Sequence, residues 1–265
     1  MELTIRNTSF HVEDRGTGAP ILFVHGFPLD HTMWDAQLNA FADRYRVIAP
    51  DLRGFGMSTG AREQSEMEDY ADDLHEILDA LSITEPVTLC GLSMGGYIAW
   101  QFARKYPGQL GRLIVCDTKA TPDTEPTRAN RLELADRVMK EGPEFFVDGM
   151  IPKLFAAAIL ETNSTLVDQT RNVILRTNPQ AIAAAALGMA ARPDMTATLS
   201  DIAVPTLVIC GAEDQITTTQ DMKKLAEQIP NAQYEVIMGA GHMSPLEKPA
   251  AVNEIISNFL AATDI

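Results

Sequence analysis

Residues 86–103 read PVTLCGLSMGGYIAWQFA, an apolar run that leads through a glycine-flanked serine into a second apolar segment. Val87–Gly91 has the length and composition of a buried strand, and the residues from Tyr97 onward have those of a helix. The turn between them, Gly91-Leu92-Ser93-Met94-Gly95, fits the pattern G-x-S-x-G. A tight strand-to-helix turn strains its central residue and excludes larger flanking side chains. The stretch therefore predicts a nucleophile, Ser93, whose hydroxyl stands clear of a sheet at a helix N-terminus.

Short β-branched runs alternate with longer amphipathic segments along most of the chain. Eight runs predict strands: Leu3–Ile5, Phe10–Asp14, Ile21–His25, Arg46–Pro50, Val87–Gly91, Leu113–Asp117, Thr206–Gly211 and Tyr234–Met238. Several are continuously apolar, as in strands buried on both faces of a parallel sheet. Asp69–Leu81, between two of them, has apolar residues at helical spacing. This alternation predicts an α/β fold with a mostly parallel sheet flanked by helices.

The stretch from about Thr121 to Thr196 interrupts the alternation. It contains no strand pattern, and helical patterns follow one another at Glu125–Lys140, Pro143–Leu160, Asn163–Arg176 and Gln180–Ala191. After it, the strand pattern returns. We therefore predict a single domain, in which residues 1–120 and 197–265 form the core and residues 121–196 form an all-helical cap inserted after the sixth strand.

The overall composition limits the class of protein and its partners. The 265 residues carry a formal net charge of −15. This charge argues against nucleic acids and anionic membranes as binding partners, because both are bound mainly through Lys and Arg. No secretory signal is evident, and the longest apolar stretch, Ala181–Ala191, is too short to span a bilayer. Cys90, Cys116 and Cys210 form no CxxC pair, as expected of buried thiols in a reducing compartment. We expect a cytoplasmic monomer or small homo-oligomer that acts on a small molecule.

A serine nucleophile needs a base, and His242 is the best candidate among five histidines. It lies in a glycine-containing loop after the last predicted strand, where the loop can carry an imidazole over the sheet edge. The imidazole in turn needs a carboxylate that fixes its tautomer. Asp214, after the penultimate strand, gives the chain order Ser, Asp, His. Asp117, which ends another strand, and Glu213 remain alternatives for this acid.

The negative charge of a tetrahedral intermediate requires an oxyanion hole. One expected donor is the backbone N–H of Met94, the residue after the nucleophile. The loop after the third predicted strand reads His25-Gly26-Phe27-Pro28. There Phe27 is the expected second donor, since Pro28 has no N–H. His25 is expected to brace this loop rather than to transfer protons.

Five motifs together resemble the α/β-hydrolase fold superfamily. They are residues 25–28 (HGFP), 51–58 (DLRGFGMS), 91–96 (GLSMGG), 211–214 (GAED) and 241–249 (GHMSPLEKP). Within it, the sequence is most similar to small bacterial carboxylesterases (arylesterases), cofactor-free haloperoxidases or perhydrolases, and 3-oxoadipate enol-lactonases. The resemblance implies an eight-stranded sheet and a Ser-His-Asp triad, without metal or organic cofactor. One departure is the loop after Asp214, which lacks the proline that often follows the acid in this family.

Other kinds of site are disfavoured by spacing. The glycine-rich residues 54–60 do not fit G-x-G-x-x-G, and no GK[ST] motif is present, so we expect no nucleotide cofactor. The five histidines are dispersed without an HxxxH pair, so we expect no metal site.

These features predict a serine hydrolase that cleaves small carboxylic esters through an acyl-enzyme. An enol-lactonase, a C–C bond hydrolase and a perhydrolase side activity remain alternatives, as does a non-catalytic binding protein on the same fold. A polar, anionic lactone would require a cation near Ser93, for which Arg128, Arg131 and Arg192 are candidates.

Overall fold

The computed structural model describes residues 1–263, and an eight-stranded sheet forms the centre of that part of the chain. The strands are β1 (Glu2–Ile5), β2 (Thr8–Arg15), β3 (Pro20–Val24), β4 (Arg46–Pro50), β5 (Val87–Leu92), β6 (Leu110–Cys116), β7 (Thr206–Gly211) and β8 (Ala232–Ile237). Their order across the sheet is β1-β2-β4-β3-β5-β6-β7-β8. β2 pairs antiparallel with β1 and β4, and the other five pairs are parallel. The prediction of an eight-stranded, mostly parallel sheet is confirmed.

Helices cover both faces of the sheet. Within the described residues they are α1 (Asp35–Phe41), α2 (Met67–Ala80), α3 (Met94–Lys105), α4 (Glu125–Glu141), α5 (Glu144–Leu154), α6 (Ala157–Thr162), α7 (Ser164–Arg176), α8 (Pro179–Ala191), α9 (Thr219–Ala226), α10 (Ser244–Glu247) and α11 (Pro249–Ala262). Buried strand residues alternate between two apolar clusters. In β6, Val115 packs in a cluster with residues of α2, α3 and α9, whereas Ile114 packs in a second cluster with residues of α1 and α11. Each such buried side chain contributes about 1.5–3 kcal/mol to stability.

The segment between β6 and β7 is helical, as predicted, but the second predicted helix is longer than either of the two helices that replace it. The expected helix Pro143–Leu160 is wrong, because the structure has two helices, α5 and α6, separated by Phe155 and Ala156. Both of these residues are extended, with ψ of 149° and 148°. The Ala156 amide donates to the Glu247 carboxylate at 2.8 Å. The break between the two helices therefore coincides with a contact between residues that are 91 positions apart in the chain.

The helical segment packs as part of the main body. Ala185 and Met189 of α8 belong to the apolar cluster that also contains α2 and α3, while Ile151 of α5 belongs to the cluster on the other face. The Ser65 amide also donates to the Ala184 carbonyl at 3.2 Å. The segment therefore shares its buried surface with the sheet.

The three cysteines are buried and free, as the sequence predicts. No helix among residues 1–263 combines the length and the apolar character that a bilayer span requires.

Candidate active site

Ser93 lies in the turn that joins β5 to α3. Its backbone has φ 54° and ψ −109°, a left-handed conformation that side chains rarely adopt. The flanking glycines are needed for space: a Cβ on Gly91 would meet the Gly95 carbonyl oxygen at 2.4 Å, and one on Gly95 would meet the Val24 oxygen at 2.3 Å. The Ser93 amide donates to the Cys116 carbonyl on β6 at 2.9 Å. Neighbouring strands thus hold the strained turn in place.

His242 lies in the loop after β8 and contacts Ser93. Its Nε2 is 2.9 Å from the Ser93 Oγ, and its Nδ1 is 2.8 Å from Oδ2 of Asp214. The imidazole is 3% exposed, so that water does not compete for these hydrogen bonds. The structure brings together the three residues that the sequence selects as nucleophile, base and acid.

Asp214, in the loop after β7, is oriented by its own neighbours. Its Oδ1 accepts the amides of Ile216 (2.7 Å) and Thr217 (3.0 Å). The Thr217 hydroxyl donates to Oδ2, the oxygen that also faces His242. These donors occupy the remaining lone pairs of the carboxylate and fix its direction.

The histidine and the acid shift each other's pKa. Burial by itself would lower the pKa of His242, but the adjacent Asp214 carboxylate raises it above the ordinary 6.5. Burial opposes the ionised form of Asp214, yet the charge of His242 and the hydrogen bonds hold the pKa of this carboxyl below 3.8. This pair therefore favours an imidazolium beside a carboxylate, the charges that a base carries after it has taken a proton.

We expect the activity to fall on the acid side with a midpoint above pH 6.5, because only the neutral His242 can accept a proton and its pKa is raised. The measurement is kcat/KM for an ester between pH 5 and 9. In Asp214→Asn the midpoint should move down, since the main contribution that raises the pKa of His242 is removed while burial still lowers it. A wild-type midpoint below 6.5 would contradict this assignment.

Asp117, the alternative acid, is fully buried but faces elsewhere. Its carboxyl accepts the Gly211 amide at 2.7 Å and the Ser244 hydroxyl at 2.5 Å. Among residues 1–263, no hydrogen bond joins it to His242. Burial raises the pKa of Asp117 to about 8, although the charge of His242 opposes this shift more strongly than the Asp214 carboxylate adds to it. At neutral pH it is therefore mostly uncharged and suits a structural position.

The loop after β3 approaches the nucleophile. A Cβ placed on Gly26 would lie 3.6 Å from the Ser93 Cβ. Within the described part of the chain, the amides of Phe27 and Met94 have no protein acceptor. His25 accepts the Leu52 amide at Nε2 and donates from Nδ1 to the Gly26 carbonyl, both at 3.0 Å. His25 thus links the loop to the residues after β4.

Glu247 was given no role from the sequence, yet it joins two parts of the site. Its buried carboxylate accepts the amides of Gly241 (2.8 Å) and Met243 (3.1 Å), on either side of His242. The other oxygen accepts Ala156, at the break between α5 and α6. Burial raises the pKa of this carboxyl, and the three amides oppose that shift. In the sequence, this residue is visible only as a glutamate five residues after His242. The neighbouring residues in the chain do not indicate which groups its carboxylate binds.

Replacement of Glu247 by glutamine should lower both stability and turnover. Glutamine keeps one acceptor and turns its NH₂ towards an amide donor, which leaves a buried group unsatisfied at a cost of about 1–3 kcal/mol. We also expect kcat to fall by about 10- to 100-fold through misplacement of His242. Denaturant unfolding and ester kinetics measure the two effects. Exposed Glu254, on α11, provides the matched Glu→Gln control, and equal behaviour of both variants would remove the positioning role.

Comparison with known proteins agrees with this architecture. Residues 19–249 match the model of a family described as alpha/beta hydrolase fold. The chain belongs to the α/β-hydrolase fold family. The predicted resemblance is thereby confirmed, and the comparisons support a hydrolase.

Three similar proteins illustrate the range of the family. A 3-oxoadipate enol-lactonase from Acinetobacter baylyi is 32% identical over 91% of this chain and 88% of its own. The structure of a thermophilic esterase from Thermogutta terrifontis, with malate bound, has a TM-score of 0.97 at 43% identity and covers 100% of this chain and 99% of the esterase. The enol-lactonase from Burkholderia xenovorans LB400 has a TM-score of 0.91 at 26% identity, covering 98% and 100%. Both esterases and lactonases therefore share this fold over nearly its whole length.

Proposed function

We propose that this chain is a serine hydrolase that cleaves small carboxylic esters through an acyl-enzyme. The observation that carries the proposal is the continuous hydrogen-bonded series from Ser93 Oγ through the His242 imidazole to Asp214, at 2.9 and 2.8 Å. A nucleophile, a base within hydrogen-bond reach and a carboxylate that orients the base together make acyl transfer feasible.

In the first step, the Ser93 oxygen attacks the ester carbonyl carbon, and its proton passes to Nε2 of His242. Asp214 stabilises the resulting imidazolium. The carbonyl electrons move to the oxygen, which the free amides of Phe27 and Met94 would hold. A donor of this kind is worth about 10²–10³ in kcat.

In the second step, the electrons return, the bond to the alcohol oxygen breaks, and His242 donates its proton to the leaving alcohol. Water then enters, gives a proton to the same imidazole and attacks the acyl carbon. The bond to the Ser93 oxygen then breaks, which releases the acid, and His242 donates its proton to that oxygen, which restores the serine hydroxyl and the neutral imidazole.

We further propose that residues 121–196 form a cap that belongs to the same domain and shapes the substrate pocket. Its support is the side chain of Phe27, which packs against an apolar cluster of α4 and α8 residues. Phe145 and Phe146 of α5 border the same cluster. An acyl group bound at the amide of Phe27 would then meet apolar surface from the cap.

A lactone is the second candidate substrate, favoured by the enol-lactonase from Acinetobacter baylyi among the relatives. Two of the three candidate cations for a substrate carboxylate, the half-buried Arg131 and the buried Arg192, already share an acidic partner. Arg131 and Arg192 both pair with Asp123, at 2.5 and 2.7 Å, and Arg128 is exposed. Because none of these three arginines is both buried and free of an acidic partner, we propose neutral esters as the preferred substrates.

Two measurements test the proposal. A fluorophosphonate probe should label the wild-type chain at Ser93, as seen by mass spectrometry of the digested protein, and labelling should fail after heat unfolding. A panel of p-nitrophenyl esters and lactones, with hydrogen peroxide as a competing nucleophile, then identifies the acyl group and any perhydrolase activity. A folded protein that is neither labelled nor active on any member would be a binding protein instead.

A further inference from the structure

Three groups of metal-ligating side chains occur among residues 1–263. They are His11–Glu13–His31, Asp30–His31–Asp51 and Asp117–Cys210–Asp214. Both oxygens of Asp214 are occupied by hydrogen bonds within the candidate active site. Both oxygens of Asp51 are occupied too, one by the amide and ring of His31 and the other by the Met57 amide. The first group differs, because Nε2 of His11 is buried without a hydrogen-bond partner in the described part of the chain.

The geometry of this first group is close to that of a metal site. Nε2 of His11 lies 3.4 Å from Oε1 of Glu13. One ligand atom from each of the three residues lies within 4.8 Å of the other two. An ion could then lie within about 2.8 Å of all three atoms. Side-chain movements of less than about 1 Å would bring the three atoms to the 2.0–2.2 Å that is typical of zinc–ligand bonds.

The surroundings of His31 resemble those of metal-bound histidines. Its Nδ1 lies 2.7 Å from Oδ1 of Asp51, a fully buried carboxylate. A carboxylate on one ring nitrogen fixes the tautomer that leaves the other nitrogen free as a ligand. The lone pair of Nε2 is therefore available on the side of the ring away from Asp51.

The local charge also favours a cation. Four carboxylates and two guanidinium groups surround the two imidazoles: Glu13, Asp30, Asp35, Asp51, Arg15 and Arg176. With neutral histidines the neighbourhood carries a net charge of about −2. A dication would balance this charge even though Arg15 contacts Glu13.

We propose that His11, Glu13 and His31 bind a divalent transition metal ion of the Zn²⁺ class, with water in the fourth position. Two imidazole nitrogens and one carboxylate oxygen form a ligand set that Zn²⁺ accepts. The ion would join β2 to the loop that carries Phe27, and the ester hydrolysis proposed above does not use it.

The spacing of histidines along the chain gave the opposite expectation. His11 and His31 are twenty residues apart, which fits no linear metal motif. They meet because β2 pairs with β4, and the Asp51 side chain that follows β4 binds His31. Only the order of strands in the sheet brings the two rings to a centroid distance of 4.8 Å.

The test uses chelator-treated protein and Zn²⁺ or Co²⁺ alone, at pH 8, because metal binding displaces protons. Calorimetry should find one Zn²⁺ per chain with a Kd of about 1 µM or below, and the melting temperature should rise with Zn²⁺. His11→Ala and Glu13→Gln should each weaken binding by about 10- to 100-fold or more. Co²⁺ should give visible absorption bands that both variants lose.

Two matched histidine variants serve as controls. His75, which stacks on Tyr106 away from this cluster, should bind metal as the wild type does after replacement by alanine. His242→Ala should also retain binding, which separates this site from the candidate active site. Absence of Zn²⁺ binding up to about 100 µM, unchanged affinity in both His11→Ala and Glu13→Gln, or loss of binding in His242→Ala would each overturn the proposal. Melting temperatures without metal show whether the variants fold.

Discussion

Replacement of Ser93 by alanine is expected to lower kcat for a p-nitrophenyl ester by about 10³- to 10⁶-fold. In the proposed mechanism, the substitution removes the atom that forms the acyl bond, whereas the proposed oxyanion donors and the pocket remain. Because these still bind the transition state, the residual rate should exceed that of the uncatalysed reaction. Steady-state kinetics with purified protein, free of wild-type enzyme, measures the effect.

The same variant should remain folded. The Ser93 amide, which donates to Cys116, is retained, and alanine adds no atom to the side chain at this strained position. Exposed Ser200 offers a Ser→Ala control that should keep full activity. Near-native turnover in Ser93→Ala would contradict the proposed acyl-enzyme mechanism.

Replacement of Asp214 by asparagine should lower kcat by about 10⁴-fold, because the amide stabilises the wrong imidazole tautomer and cannot balance the imidazolium. Asp117→Asn is the paired variant and should change kcat less than about tenfold, since burial raises the pKa of Asp117 to about 8 and its carboxyl forms hydrogen bonds with Gly211 and Ser244 rather than with His242. Both sites are buried and both changes are isosteric, so general destabilisation affects them alike.

Circular dichroism and the pH dependence of kcat/KM complete the comparison of the two variants. The acid limb should move further in Asp214→Asn than in Asp117→Asn, because Asp214 raises the pKa of His242 both by its charge and by a hydrogen bond, whereas the contribution of Asp117 is smaller. A large loss in Asp117→Asn with an active Asp214→Asn would reverse the assignment of the acid.

The sequence predicts the sheet and the strained turn at Ser93 well because both depend on local patterns. A continuous apolar run bounded by turns indicates a buried strand wherever it occurs, and the turn at Ser93 has its glycines beside it in the chain. The start of α2 at Met67 rather than Asp69 accompanies a capping box between Glu66 and Asp69, which is local but lacks the usual pairing of Ser or Thr with Glu or Gln.

The remaining errors and open choices depend on contacts between distant residues. Asp117 and Asp214 both follow a strand, and their surroundings differ only in the fold, where Gly211 and Ser244 hold Asp117 away from the histidine. The break at Ala156 depends on a carboxylate that no helix pattern reveals. Patterns along the chain thus identify candidate residues, whereas the tertiary contacts determine which candidate lies beside the histidine.

The Glu247 carboxylate has a consequence for engineering. It binds the loop of His242 and the bend at Ala156 with the same side chain, and the Met243 amide donates to Leu154 as well, at 3.1 Å. The proposed cap cannot be exchanged as a free module, because the bend at Ala156 helps to set the position of His242, the proposed general base. A chimera that imports another cap for new substrates should keep residues 154–156, or its turnover will fall for reasons unrelated to substrate fit.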